Sequence, residues 1–303
     1  MAKQIENRME ILFLYDVTDA NPNGDPVDEN KPRIDEETGV NIVTDVRLKR
    51  TVRDYLAGYK GRDVFILELR DENGNLRTKE DRLQDFKDNA DLLTRCIDVR
   101  LFGATTAVKG KTMTLTGPVQ FKYGRSLHRV AMAYVKGTTV MPAGQEKKQG
   151  TFTEKYILPY SLIAFYGVVN ENAAAAQGID LTEEDVGLLL EALWNGTKNL
   201  LSTSKAGQMP RLLLQVVHRE KNYHLGELDK RVKFIIGKKD EEIRDITDGH
   251  LDITALVNAF HSNKGAIKQI NYRVDERVRL FCAGKETTIA EALAGLNIQE
   301  LSF

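Results

Sequence analysis

Residues 8–17 read RMEILFLYDV, a run that is apolar on both faces in its middle. Such a segment is stable only as a strand inside a sheet covered on at least one side, so the core must be built around it. The run stops at DANPNGDP, residues 19–26, a dense set of turn formers. The polar stretch from that turn to Asn41 carries three prolines, Pro22, Pro26 and Pro32. It predicts a long surface loop, and a loop of that length without its own core is often functional.

The rest of the chain supplies the partners of that strand. Thr44 or Asp45 can N-cap a helix over residues 46–57, with Val46, Leu48, Val52, Tyr55 and Leu56 as core contacts and Gly58 as the breaker. Residues 60–108 are charged and mixed, and predict short inserted helices. Strand character returns over 113–123, where Val119, Phe121 and Tyr123 alternate with Gln120 and Lys122. A further strand is expected over 155–169, with Pro159 and Gly167 marking an edge or a bulge. Thr182-Glu183-Glu184-Asp185 resembles a capping box opening a helix with Val186, Leu189, Leu190 and Leu193 on one face. Residues 211–218, RLLLQVVH, predict another buried strand. The order β-α-β-β-α-β is that of the split βαβ, an α+β ferredoxin-like fold, here enlarged by insertions. Beyond Glu220 a strand at 231–236, a helix at 250–260 and a threonine-capped helix at 287–296 are expected.

Composition narrows the function. A chain of 303 residues that is 42% hydrophobic can bury a real core. Its net charge of −1 excludes holding nucleic acid by bulk charge, but leaves room for local basic patches. Cys96 and Cys282 fit no disulfide framework or zinc spacing, and the five histidines show no metal pattern. Gly110-Lys111-Thr112 with Gly103 upstream imitates a P-loop, but six residues separate the glycines instead of four. Residues 1–10 are polar and no apolar run approaches a membrane span, so a cytoplasmic protein without metal or cofactor is expected. Asp16, Asp19, Asp25 and Asp28 could hold Mg²⁺ near a strand end, but tight turns demand the same residue types.

The basic clusters say more. Arg47, Lys49, Arg50 and Arg53 crowd the opening turns of the first helix. The macrodipole is positive there, so cations cost stability unless an anion joins them. Phosphate suits the position, because free backbone N–H groups and basic side chains converge on it. The plainer alternative is a solvated face paired with Asp45 and Asp54. Residues 122–129, KYGRSLHR, and 202–207, STSKAG, also combine amides, hydroxyls and cations. Three such segments on one core favour nucleic acid gripped by its backbone. No RNP1 octamer for stacking bases appears in 113–123 or 211–218.

NPNGDP (21–26), TDVRLKRTVRDY (44–55), LFGA (101–104), TGPVQF (116–121), GRS (124–126), KYILPYSLIAFYGVVN (155–170) and RLLLQVVH form an ordered series. From about Met9 to His218 it resembles the backbone subunit of the type I CRISPR interference complex, Cascade, nearest its type I-B and I-C branch. The resemblance implies one domain with a modified ferredoxin-like (RRM-like) palm, about residues 8–58, 113–123 and 154–247. It adds helical fingers at 59–112, a thumb hairpin at 124–153 and a C-terminal extension at 248–303. It further implies a non-enzymatic subunit whose copies line up head to tail along one crRNA guide. Each thumb would reach a neighbour, other Cascade subunits would cap the guide ends, and target DNA would be met through base pairing. Carried onto this sequence, the RNA contacts are Asn23, Thr44, Arg47, Lys49, Arg50, Arg53, Gln120, Arg125, Ser126, Ser202, Thr203, Ser204 and Lys205. One departure is Ala206-Gly207-Gln208-Met209, where a basic or glycine residue is expected after Lys205. Two competing readings are a type III-like backbone subunit whose loop aspartate cleaves RNA, and a metal-dependent phosphoesterase using Asp16, Asp19 and Asp25.

Overall fold

The computed structural model describes residues 3–108, 111–138 and 152–303. Strand Met9–Ala20 runs through the middle of the main sheet, and its residues from Met9 to Val17 are all buried. It pairs antiparallel with Phe152–Val169 on one side and with Met209–His218 on the other. Beyond Phe152–Val169 lie Val119–Phe121 and Gly124–Arg129, and Val40–Val43 closes that edge. Beyond Met209–His218 come Ile267–Val274 and then, in parallel, Ile298–Glu300.

Alternation along the central strand sends successive side chains to opposite layers. Ile11, Phe13, Tyr15 and Val17 join the core formed with helices Asp45–Gly58 and Glu183–Lys198. Leu12 and Leu14 pack on the other face, against a layer drawn from residues 228–293. The result is a mixed α/β protein with both faces of its sheet covered. Thr182 and Asp185 form the expected capping box at the second helix. Val46 departs from expectation and is 66% exposed. It heads the outward row that continues through Arg50 and Asp54, four residues apart along the helix.

The segment between the first helix and the returning strand has its own small core. Helices Lys79–Leu83, Asn89–Arg95 and Ile97–Phe102 surround Phe65, Phe86, Leu92, Cys96 and Val99. Residues 113–116 belong here and not to the sheet, because Lys111–Thr116 pairs with Gly103–Val108 as a separate ribbon. Two motif glycines make that ribbon possible. A methyl group on Gly103, at φ +74°, would lie 2.1 Å from the Leu115 carbonyl oxygen, and one on Gly117 would lie 2.1 Å from the Phe102 carbonyl carbon. Backbone meets backbone where LFGA crosses TGPVQF. Gly103→Ala is therefore expected to cost about 1–3 kcal/mol in backbone strain, before any clash is relieved. Urea denaturation would measure it, and an unchanged midpoint would refute this account.

Several other expectations need correction. Gly124–Arg129 pairs with the main sheet, so residues 124–129 do not open a hairpin. The hairpin stem is Ala133–Thr138 against the first residues of Phe152–Val169; residues 139–151 of the expected thumb lie outside the described residues. Gly167 marks neither edge nor bulge. It is paired on both sides, and its missing side chain makes room for the Phe121 ring. Pro159 sits at the skipped position opposite Asp19, whose φ is +50°.

The stretch to Asn41 is less exposed than its polarity suggested, for Asn21 and Asn41 are buried. Asn41 accepts from Ser161 Oγ at 3.2 Å and donates to the Arg33 carbonyl at 2.8 Å. At the C-terminal end, residues 250–252 are strand, within Gly249–Asp252, and the helix starts later, at Thr254–Ser262. Leu251 and Ile253 point inward around a half-exposed Asp252, the period of two of a strand and not of a helix start. Strand Lys233–Ile236 pairs with Gly249–Asp252, so a boundary at residue 247 would cut through one covering layer. The last helix is a single turn, Ile289–Ala292, capped by Thr288.

Candidate nucleic-acid interface

The interface begins at the first helix. Thr44 is its N-cap, with Oγ1 accepting from the Arg47 amide at 3.3 Å. Asn23 Oδ1 in turn accepts from both the Thr44 amide and the Thr44 hydroxyl, each at 2.9 Å. The NPNG turn is thereby locked onto the helix start. The 202–207 loop joins from the far end of the second helix. The Asn21 amide donates to the Ser204 carbonyl at 2.8 Å, and Lys205 Nζ donates to the Asn21 carbonyl at 3.1 Å. Lys155 Nζ, at the hairpin base, donates to the Thr203 carbonyl at 3.3 Å. Three segments far apart in sequence thus meet around one helix terminus. Asn21 and Lys155 are the linking residues that sequence reasoning missed; only the place of Asn21 in NPNGDP hinted at it.

The cations divide sharply once partners are assigned. Arg53 Nε meets Asp98 Oδ2 at 2.8 Å, both side chains being buried. Lys49 is held by Asp45 at 3.0 Å and by Gln120 Oε1 at 3.2 Å, over the Phe102 ring. Arg50 pairs with Asp54 on the exposed side of the helix. Arg125 reaches Asp35 at 3.0 Å and remains largely exposed. The Ser126 hydroxyl is taken up internally, donating to the His128 carbonyl at 2.6 Å and accepting from the Asn41 amide at 2.9 Å.

Arg47 and Lys205 differ from all of these. Neither has a carboxylate within ion-pair distance among the described residues, although Arg47 does donate to Thr51 Oγ1 at 2.9 Å. Burial holds the Arg47 guanidinium below its usual range. Burial, and then the positive charge of Arg47, push the Lys205 ammonium down. Two half-buried like charges at the positive end of a helix are unfavourable without an anion. Chemically, the arrangement can clamp a phosphate with two cations, a hydroxyl and free amides.

The aspartates are engaged elsewhere. Asp16 is buried and held by Arg211 at 2.8 Å and Tyr160 at 3.0 Å, and its burial pushes the carboxyl up. Asp25 pairs with Arg33, and Asp28 with Lys31. Among the described residues no group of three or more His, Cys, Asp or Glu side chains could hold a metal ion. No described helix is long and apolar enough to cross a membrane.

The family profile for CRISPR-associated protein Cas7 matches residues 7–254. The chain belongs to the Cas7 family. A CRISPR-associated protein Cas7 of Haloferax volcanii is 33% identical over 97% of this chain and 96% of its own length. Two solved structures share the fold at a TM-score of 0.58 each. One is titled CRISPR RNA-guided surveillance complex, 16% identical, covering 96% of this chain and 94% of that one. The other is the same complex in a pre-nicking form, 15% identical, covering 97% and 96%. The expected family of CRISPR backbone subunits is therefore borne out. Cas7 backbone subunits are non-catalytic, which sets aside both nuclease readings.

Proposed function

We propose that this Cas7 protein grips the guide RNA of a type I surveillance complex through its sugar–phosphate backbone, with Arg47 and Lys205 as the central contacts. The observation that carries this reading is the pair of half-buried cations at the start of helix Asp45–Gly58 that have no carboxylate within ion-pair distance among the described residues. Asn23, Thr44, Ser202, Thr203 and Ser204 frame the same phosphate, and Arg50 and Arg125 extend the track by exchanging exposed carboxylates for RNA. Lys49, Arg53, Gln120 and Ser126 support the site from within.

The core is a modified RRM-like palm. The strand order Met209–His218, Met9–Ala20, Phe152–Val169, Gly124–Arg129 supports this, being the fourth, first, third and second of a split βαβ. Residues 59–116 form the fingers, and the Ala133–Thr138 hairpin forms the stem of a thumb. In an open RRM the sheet face stacks bases. Here that face is covered, so the guide must lie across the helix start and loops, where its bases stay free to pair with target DNA. Copies assemble head to tail along one crRNA, and other subunits of the complex cap its ends. Met132, Tyr134 and Val135 leave apolar surface exposed on the hairpin, as a segment awaiting a neighbour would.

Coexpression with a crRNA and purification test this directly. The expected result is a ladder of protomers on RNA protected from nuclease at a uniform length per protomer. Deleting residues 130–147 should leave the monomer folded while weakening assembly. A protein that stays monomeric and protects no RNA would overturn the proposal.

A further inference from the structure

The backbone ladder that holds strand Gly124–Arg129 to Phe152–Val169 is short, with Arg125 opposite Ala164 and Ser126 opposite Ile163. Beyond Ser126 a side chain takes over. The His128 ring is buried, with Nε2 3.2 Å from the Leu162 amide nitrogen and Nδ1 2.7 Å from the Arg129 carbonyl oxygen. A backbone amide only donates and a carbonyl only accepts, so Nδ1 carries the proton and Nε2 offers a lone pair. The ring fits this place as the neutral Nδ1–H tautomer alone. A proton added at Nε2 would turn that acceptor into a donor aimed at the Leu162 N–H.

The surroundings give the charged form little help. Tyr160 stacks on the ring with centroids 5.6 Å apart, and its hydroxyl is given to Asp16 on the central strand at 3.0 Å. Phe234 of the covering layer packs against the ring with centroids 6.0 Å apart. Strand Val40–Val43, paired with the same strand, carries no titratable residue. Arg129, the next residue, is exposed. Asp240 of the covering layer is the charged group that favours protonation, but its Oδ2 already accepts from the Arg129 amide at 2.7 Å. Burial outweighs its attraction and holds the imidazole below its usual range.

We infer that His128 is an acid-released latch on the strand that leads into the hairpin. Above the ordinary histidine pKa of about 6.5 the neutral ring bridges to Leu162, and residues 127–130 stay on the sheet. Below it the opened strand binds a proton that the closed one excludes. Closure is therefore lost as pH falls, and opening gains up to about tenfold per pH unit until the closed form itself protonates. The residues released lie between the main sheet and Ala133–Thr138, so that arm of the hairpin loses its root. The other arm stays anchored, because Phe152–Val169 remains paired with the central strand. That acid also weakens assembly rests on the reading of the hairpin as a thumb; the latch itself does not.

Hydrogen–deuterium exchange of the RNA-free full chain, read by mass spectrometry from about pH 7.5 to about pH 5.5, tests the latch. Corrected for intrinsic exchange, peptides covering Leu162 and residues 127–130 are expected to open several-fold more at the acid end, about tenfold at most. In His128→Gln the side-chain carbonyl replaces Nε2 as acceptor and does not titrate, so the same peptides should stay closed throughout. Asp16 remains in that variant, which separates its titration from that of His128. Imidazole nitrogen NMR needs no variant, and should show His128 as the Nδ1–H tautomer at neutral pH. Exchange in the wild type that ignores acid overturns the latch, as does an Nε2–H tautomer or acid opening that His128→Gln retains. Acid opening that leaves assembly on crRNA unchanged upholds the latch and counts against the thumb reading.

Discussion

Replacing Arg47 and Lys205 together by alanine is expected to weaken binding of single-stranded RNA about a hundredfold, with little dependence on sequence. Each is a charge-assisted contact worth about 1.5–3 kcal/mol, and the lower end of that range for both already gives this factor. The salt dependence should fall as well. Each lost phosphate contact lowers the slope of log affinity against log salt by roughly 0.7 on a single strand. Arg50→Ala should have a smaller effect of the same kind, since its exposed pair with Asp54, four residues away, is weak and readily exchanged. Fluorescence anisotropy across a salt series on two unrelated RNA sequences would measure all three. Loss of affinity at unchanged slope, or on only one sequence, would mean that these cations shape the fold or read bases.

Asp98→Ala should act on stability instead, and strongly. Asp98 is wholly buried, and its carboxylate accepts from Arg53 Nε at 2.8 Å and from the Phe65 and Ile66 amides at 2.7 and 3.2 Å. It ties the first helix to the finger segment through a residue of the neighbouring helix Ile97–Phe102. Removing it leaves a buried guanidinium and two amides without their partner. Breaking a buried pair in this way costs about 3–5 kcal/mol. Chemical denaturation should show that loss. The RNA salt slope of the protein that remains folded should match the wild type, since Arg53 is buried against Asp98 and lies outside the proposed RNA contacts. A variant with normal stability and a reduced slope would return Arg53 to the RNA interface.

The contrast between these two experiments marks what could be read before the structure. The central strand, the caps at Thr44 and Thr182 and the 202–205 loop were legible because each is a local pattern of hydrophobicity, turn residues or capping hydroxyls. The sorting of the cations was not. Arg47, Lys49, Arg50 and Arg53 look alike on a helical wheel, and what separates them is partners supplied by tertiary contact. Asp98 lies 45 positions beyond Arg53, and Lys205 lies 158 beyond Arg47. Val46 failed for a related reason, since an apolar residue in a first turn does not reveal which way that turn faces. Ser126 failed because a hydroxyl in a basic loop serves a buried amide as readily as a phosphate. Beyond Glu220, short strands around Leu251 and Leu280 carry too few residues for period two to be told from a helical turn.

Strand Phe152–Val169 is a single 18-residue element that belongs to two structures at once. Its first residues, through Ile157, pair with the hairpin, and from Leu158 onward it pairs with the central strand. At about 3.3 Å per residue it spans close to 60 Å without a loop between the two halves. The hairpin is therefore a cantilever clamped in the sheet, and no swivel intervenes at its root. A stack of such subunits would take its pitch from the protein as from a ruler, whatever sequence is threaded through it. Lengthening the guide would add rungs of equal spacing, and a force on the outer end of the hairpin would be felt first at Pro159, where the ladder of backbone hydrogen bonds is thinnest.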